Sequence, residues 1–138
     1  MATLKINDLS VGDWVNYENK AYRLYAIEEC GLLRGKWESD EYLAHIAKHI
    51  DYFEPIPITP EILAANGFQY NKKVFADTWY WTNEKDTMIE VGMFKDNAYL
   101  RIVQLVDGRQ RDSRLGVKHV HQLQNALRLT GVEKEINL

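Results

Sequence analysis

Hydrophobic and polar positions alternate with a period of two through much of this chain, the pattern of strands that bury one face. Residues 13–17 and 21–27 are rich in aromatic and β-branched side chains. In the second run Tyr22, Leu24 and Ala26 fall on one side, and Arg23, Tyr25 and Ile27 on the other. Glu18, Asn19 and Lys20 between the runs supply a turn, so the two predict a hairpin. A third short strand is expected over 32–37, after a turn at Cys30-Gly31. Over residues 39–50 the period changes. Tyr42, Leu43, Ile46, Ala47 and Ile50 fit one helical face and Ser39 can cap it, which predicts a helix. The first module, residues 1–53, thus reads as a small bent sheet or an SH3-like barrel.

The three prolines, Pro55, Pro57 and Pro60, all fall in residues 54–60. Each ring fixes its own φ and turns the preceding residue away from helix, so this piece is an extended, stiff strap. Ile56 and Ile58 give it side chains to bury. A helix starts at its end: Thr59 caps, Pro60 suits the first helical position, Glu61 complements the dipole, and Asn66-Gly67 stops it. Strands are expected over 74–82, 87–94 and 98–106, with turns at 83–86 and 95–97. Asp107-Gly108 opens a further hairpin toward a short strand near 113–118. Val120, Leu123, Ala126, Leu127 and Thr130 mark the last helix, which Gly131 ends. The tail, residues 132–138, alternates as an edge strand would. Residues 61–138 therefore read as helix, antiparallel meander, helix, with the helices on one face, and the fold class as α+β.

Composition adds that 138 residues, 46% apolar, can bury a core, and that four Trp, eight Tyr and four Phe supply much of its area. The net charge of −3 argues against a general nucleic-acid binder. No apolar run approaches the roughly 20 residues needed to cross a bilayer, and the start lacks the pattern of a secretory signal. Cys30 is the single cysteine, which excludes an internal disulfide. These features point to a cytoplasmic protein with no membrane partner.

Candidate chemistry is sparse. Glu41, His45 and His49 would form one stripe on a helix, the geometry of a divalent-metal face. The same positions are where an amphipathic helix is polar anyway, so a solvated face is the plainer reading and no metal is assigned. His119 and His121 flank Val120 at the start of the last helix, where helix-start hydrogen bonding explains them without catalysis. Residues 107–121 hold Arg109, Arg111, Arg114 and Lys118 against Asp107 and Asp112, a local +2 in an acidic chain. With the two histidines they form a candidate phosphate or partner site. In Trp79-Tyr80-Trp81 the indoles share one strand face and Tyr80 takes the other, so either core packing or an aromatic surface follows. Cys30 lacks a second cysteine or a basic neighbour to activate it. No catalytic motif or cofactor-binding pattern is present, and an enzyme is not expected.

Three segments carry a resemblance. They are Val11-Gly-Asp-Trp-Val15 with Tyr22-Arg-Leu-Tyr-Ala-Ile27, then Glu54-Pro-Ile-Pro-Ile-Thr-Pro-Glu-Ile-Leu63 with Asn66-Gly-Phe68, and residues 118–131. Together they resemble a small uncharacterised protein family common in Bacteroidetes genomes, their prophages and phages. The resemblance implies a mobile-element setting and brings neither an activity nor functional residues; residues 70–117 lie outside it. Three readings follow. The first is a non-enzymatic binding protein of phage or prophage origin that acts on a host or phage protein. The second is a nucleotide or nucleic-acid binder using the basic segment, with a phosphorylated small molecule as one ligand. The third is a structural protein assembling as a homo-oligomer through its strand edges.

Overall fold

A computed structural model describes residues 3–39, 42–72, 76–94 and 97–138. Among the described residues the protein is mainly β with some helix: two antiparallel sheets, one of four strands and one of five, and two α-helices. It divides into two compact units. The first comprises Met1–Pro57, His119–Asn125 and Leu138; the second comprises Ile58–Lys118 and Ala126–Asn137.

In the first unit β1 (Trp14–Tyr17), β2 (Lys20–Ile27), β3 (Leu32–Ser39) and β4 (Tyr42–His49) pair in chain order. The hairpin expected from the pattern is present, and Glu18 and Asn19 turn it with positive φ at both central residues (49° and 64°). A register shift between Leu24 and Ala26 bulges β2 at Tyr25. Leu9, Val15, Leu24, Leu33, Ile50 and Phe53 form the core, with Ile27 and Ile46 packed against it.

Two expectations for this unit are corrected. The sheet is open among the described residues, ending at β1 and β4, and is not an SH3-like barrel. The helix expected over 39–50 is a strand. The segment pairs with β3 from Ser39↔Tyr42 to Leu32↔His49 and ends in a single turn of 3-10 helix, Ile50–Tyr52. The physical reason is that a helix this short is marginal by itself, whereas β3 offers a complete ladder of backbone partners. Leu43 and Ala47, which a helix would have buried, are exposed.

The strap is extended and tied down. Glu54 and Asn16 exchange backbone hydrogen bonds at 2.8 Å, and the Val120 amide donates to the Ile56 carbonyl at 2.8 Å. The boundary between the units falls within the strap, between Pro57 and Ile58, yet residues 119–125 join the first unit.

In the second unit α1 (Pro60–Ala65) is built as its sequence predicts. Thr59 Oγ1 accepts from the Ile62 amide at 3.2 Å. At the other end Gly67 (φ 84°) lets the Phe68 amide reach the Leu63 carbonyl and its own amide reach that of Ala64. The sheet runs β5 (Gln69–Lys72), β6 (Asp77–Thr82), β7 (Thr87–Phe94), β8 (Asn97–Val106) and β9 (Arg109–Val117) in chain order. Strand β5 was not anticipated, and β9 is longer than expected, because Asp107 and Gly108 turn directly from Val106 into Arg109. Part of the first expected strand, residues 74 and 75, and of the turn at 95–97, residues 95 and 96, lie outside the described residues.

The last helix, α2 (Val120–Leu129), ends at Gly131 (φ 73°), where the Val132 amide returns to the Leu127 carbonyl at 2.9 Å. The tail is not the edge strand expected: it forms no ladder. It is held instead by the Asn66 side chain, which donates to the Asn137 carbonyl at 2.9 Å and accepts from the Asn137 amide at 2.7 Å, with Ile136 buried. No described helix is long and apolar enough to cross a membrane.

Candidate binding face of the five-stranded sheet

Register assigns every side chain of this sheet to a face, because paired residues share a side and neighbours along a strand alternate. One side carries the row Trp79, Val91, Leu100, Leu115 and the row Trp81, Ile89, Ile102, Ser113. Ile89, Val91, Leu100 and Ile102 are completely buried, so this is the core face. The other side carries the row Gln69, Tyr80, Glu90, Arg101, Arg114 and the row Asn71, Thr78, Gly92, Tyr99, Gly116.

On that second face lies an open depression of about 570 Å3, lined by Glu90, Phe94, Tyr99, Arg101, Arg114, Leu115 and Gly116. Its shape has an identifiable cause. A Cβ placed on Gly92 would sit 1.9 Å from the Tyr99 ring, so that ring lies down over the Gly92 backbone. Gly116, on the other flank of Tyr99 in the same row, has nothing within 4 Å of where its Cβ would be. Tyr99 therefore closes one glycine and leaves the other open. Phe94 continues the aromatic wall, with its ring centroid 5.8 Å from that of Tyr99.

The polar lining is internally connected. The Tyr99 hydroxyl donates to Glu90 Oε1 at 3.0 Å, which fixes the ring and satisfies a carboxylate only 7% exposed. Arg101 donates to Asp112 through Nε (3.1 Å) and Nη2 (2.9 Å). This two-point contact holds the Asp112 carboxyl below its ordinary pKa and raises that of Arg101. Arg114 reaches the same carboxylate at 3.5 Å and is largely exposed. The face offers an aromatic wall, an unfilled floor and one largely exposed guanidinium, a set suited to recognition.

The candidates from the sequence are distributed as follows. Strand alternation places Arg109 and Arg111 on the core side of β9 and Arg114 on the other, so the basic segment is not one patch. Lys118 follows the end of β9. Trp79 and Trp81 lie half-buried on the core face; Trp79 packs on Tyr70 (5.1 Å between centroids), and Lys134 Nζ stands over Trp81 at 5.3 Å. Tyr80 is on the opposite face, where its hydroxyl donates to Gln69 Oε1 at 3.0 Å.

His119 and His121 belong to the first unit and stack, with centroids 5.8 Å apart and rings within 9° of parallel. The His119 amide donates to Gln122 Oε1 at 3.0 Å, a helix-start bond made by the backbone and not by either imidazole. His121 is buried with Nδ1 lacking a hydrogen-bond partner, and burial lowers its pKa from 6.5. The proposed metal stripe dissolves with the helix that carried it. On a strand, residues four apart are separated by about 13 Å; Glu41 lies outside the described residues. Among the described residues no three His, Cys, Asp or Glu side chains gather to hold a metal. Cys30 is exposed, with Sγ 3.8 Å from Glu28 Oε2.

Two groups were missed. One is the depression itself: Glu90 and Arg101 interrupt otherwise apolar strand runs, and pairing the two expected strands would have set them side by side. The other is the use of buried Gln124 and half-buried Asn125 as braces. Gln124 accepts from the Trp14 amide at 3.0 Å and donates to the Gly12 carbonyl at 2.9 Å, while Asn125 donates to the Asp8 carbonyl at 2.8 Å and to the buried Asp13 carboxylate at 3.2 Å. No local signal marks partners so distant in sequence. In comparisons with known proteins, no family model, curated protein or solved structure matches this chain.

Proposed function

We propose that this protein is a non-enzymatic recognition module whose working surface is the Glu90–Tyr99–Arg101–Arg114 face of the five-stranded sheet. In this reading the face that carries the depression meets a partner. The observation that carries it is the vacancy beside Tyr99: a depression of about 570 Å3 floored by a glycine with open space above it. A sheet face that served only to be wetted would gain stability from a larger side chain at Gly116. The resemblance to phage-borne proteins suggests the setting, a host or phage protein as the partner.

The phosphate reading draws less support. Arg109 and Arg111 stand on the other side of the strand from Arg114, and Asp112 is bound by Arg101 and approached by Arg114. Fragment mapping by two-dimensional amide NMR tests the proposal. Small aromatic fragments should shift the amides of Phe94, Tyr99 and Arg114 to Gly116 together. Shifts gathered elsewhere, or none, would overturn it.

A further inference from the structure

The depression opens onto the rim of the sheet. Arg114, Leu115 and Gly116 line it, and all three belong to β9, the last strand in the order β5-β6-β7-β8-β9. No described strand pairs with the outer side of β9, and its residues from Arg109 to Gly116 are exposed except for half-buried Ser113. In an antiparallel ladder every second residue bonds inward, so the alternate N–H and C=O groups of β9 point outward with no strand to receive them. This is a template for one more strand.

Charge decides what kind. Strand β9 carries Arg109, Arg111 and Arg114 against Asp112, a net of +2 on its nine residues. The whole chain is −3, so the remainder outside β9 is −5. A second copy of β9 is repelled by the first, and basic segments are repelled by this edge while an acidic one is drawn to it. Position decides where its side chains go. A residue of the incoming strand opposite Gly116 stands in the row Gly92, Tyr99, Gly116, on the face of the depression. Tyr99 has leaned away over Gly92, and nothing occupies the space above Gly116. An apolar side chain placed there fills the vacancy against Tyr99 and Phe94.

Resting on the recognition reading above, we propose that β9 accepts an extended acidic segment of a partner protein as a sixth strand, with one apolar anchor seated over Gly116. Backbone pairing supplies the register, the arginines select acidic sequence, and the glycine selects the anchor.

The test pans a displayed library of random heptapeptides against the intact chain. Enriched sequences should be acidic, alternate in polarity and hold one aromatic or large aliphatic residue. A synthetic peptide of the enriched sequence is then measured by fluorescence anisotropy, alongside two versions N-methylated on alternate amides, one on the odd and one on the even set. Strand addition uses one set only, so one version should lose at least tenfold in affinity and the other should bind as the parent does. Gly116→Leu should weaken the parent at least tenfold, while the chain stays folded by circular dichroism. No enrichment, enrichment of basic peptides, equal binding of both methylated versions, or displacement of the peptide by a single-stranded oligonucleotide would each overturn the proposal. If these fail while aromatic fragments still collect beside Tyr99, the strand-addition inference falls and the recognition reading stands. If the fragments fail as well, both fall.

Discussion

The two faces of the five-stranded sheet are made from the same strands, residue by residue, and they do opposite things. One face has Ile89, Val91, Leu100 and Ile102 wholly out of water and no ionised side chain among those four. The other has Glu90 bonded to the Tyr99 hydroxyl, Arg101 and Arg114 both reaching Asp112, a tyrosine laid over one glycine, and a second glycine left bare. Stability is collected on the first face through buried area, and the second, though Thr78 and Glu90 are buried there, can carry a vacancy at its margin above Gly116. The difference teaches that a hole in a small protein is affordable only where the opposite side of the same strands supplies the core.

That contrast can be broken in graded steps. Leu100→Ala, in the middle of the core face, should lower unfolding free energy by about 2–5 kcal/mol in chemical denaturation; a cost under about 0.5 kcal/mol would mean the apolar face is not the core. Gly92→Ala should cost about 1–3 kcal/mol, since the new methyl group meets the Tyr99 ring and the ring must swing away from Glu90. Near-ultraviolet circular dichroism should report the movement. The same change at Gly116 meets nothing, so Gly116→Ala should stay within about 0.5 kcal/mol of the parent or stabilise it. Equal costs at the two glycines would contradict the asymmetry around Tyr99.

The smallest effect is electrostatic. Arg101 lowers the Asp112 pKa from 3.8, so the folded state holds the ionised carboxylate better than the unfolded chain does. The stability this contributes is complete above the unfolded pKa and is lost as pH falls through the lower, folded value. Asp112→Asn should therefore flatten part of the acid limb of stability against pH: it lowers stability slightly at neutral pH, where the ion pair is fully formed, and the difference from the parent closes below about pH 4. Leu100→Ala should shift the whole curve without changing its shape, because the core face brings no titrating group of its own. His121 works in the other unit and with its own window. Burial depresses its pKa below 6.5, so its neutral form favours the fold, and the stability linked to it fades as pH falls below 6.5. His121→Gln should remove that dependence in a thermal melt.

Much of the fold was legible because its rules are local. The turn at Glu18-Asn19, the cap at Thr59, the stops at Gly67 and Gly131, and the strand over residues 87–94 each follow from a few adjacent residues. Residues 42–49 were misread because their apolar positions satisfy a period of 3.6 as well as a period of two, and only the backbone of β3 could arbitrate. The tail alternates as a strand would but finds no ladder, since its partner is the side chain of Asn66. The basic segment looked like one patch because proximity in sequence was taken for proximity in space. On a strand, residues an odd number apart take opposite faces, which sets Arg114 against Arg109 and Arg111.

What the amino-acid order determined by itself was therefore the position of most elements and of their punctuation, because capping, turn geometry and alternation act within a few bonds. What only the tertiary structure decided was which strand lies beside which, and so which residues become neighbours across a ladder. Tyr99 covers Gly92 and leaves Gly116 open on account of a register that neither glycine encodes alone. Such pairings join residues on different strands, and no local preference of either partner contains them.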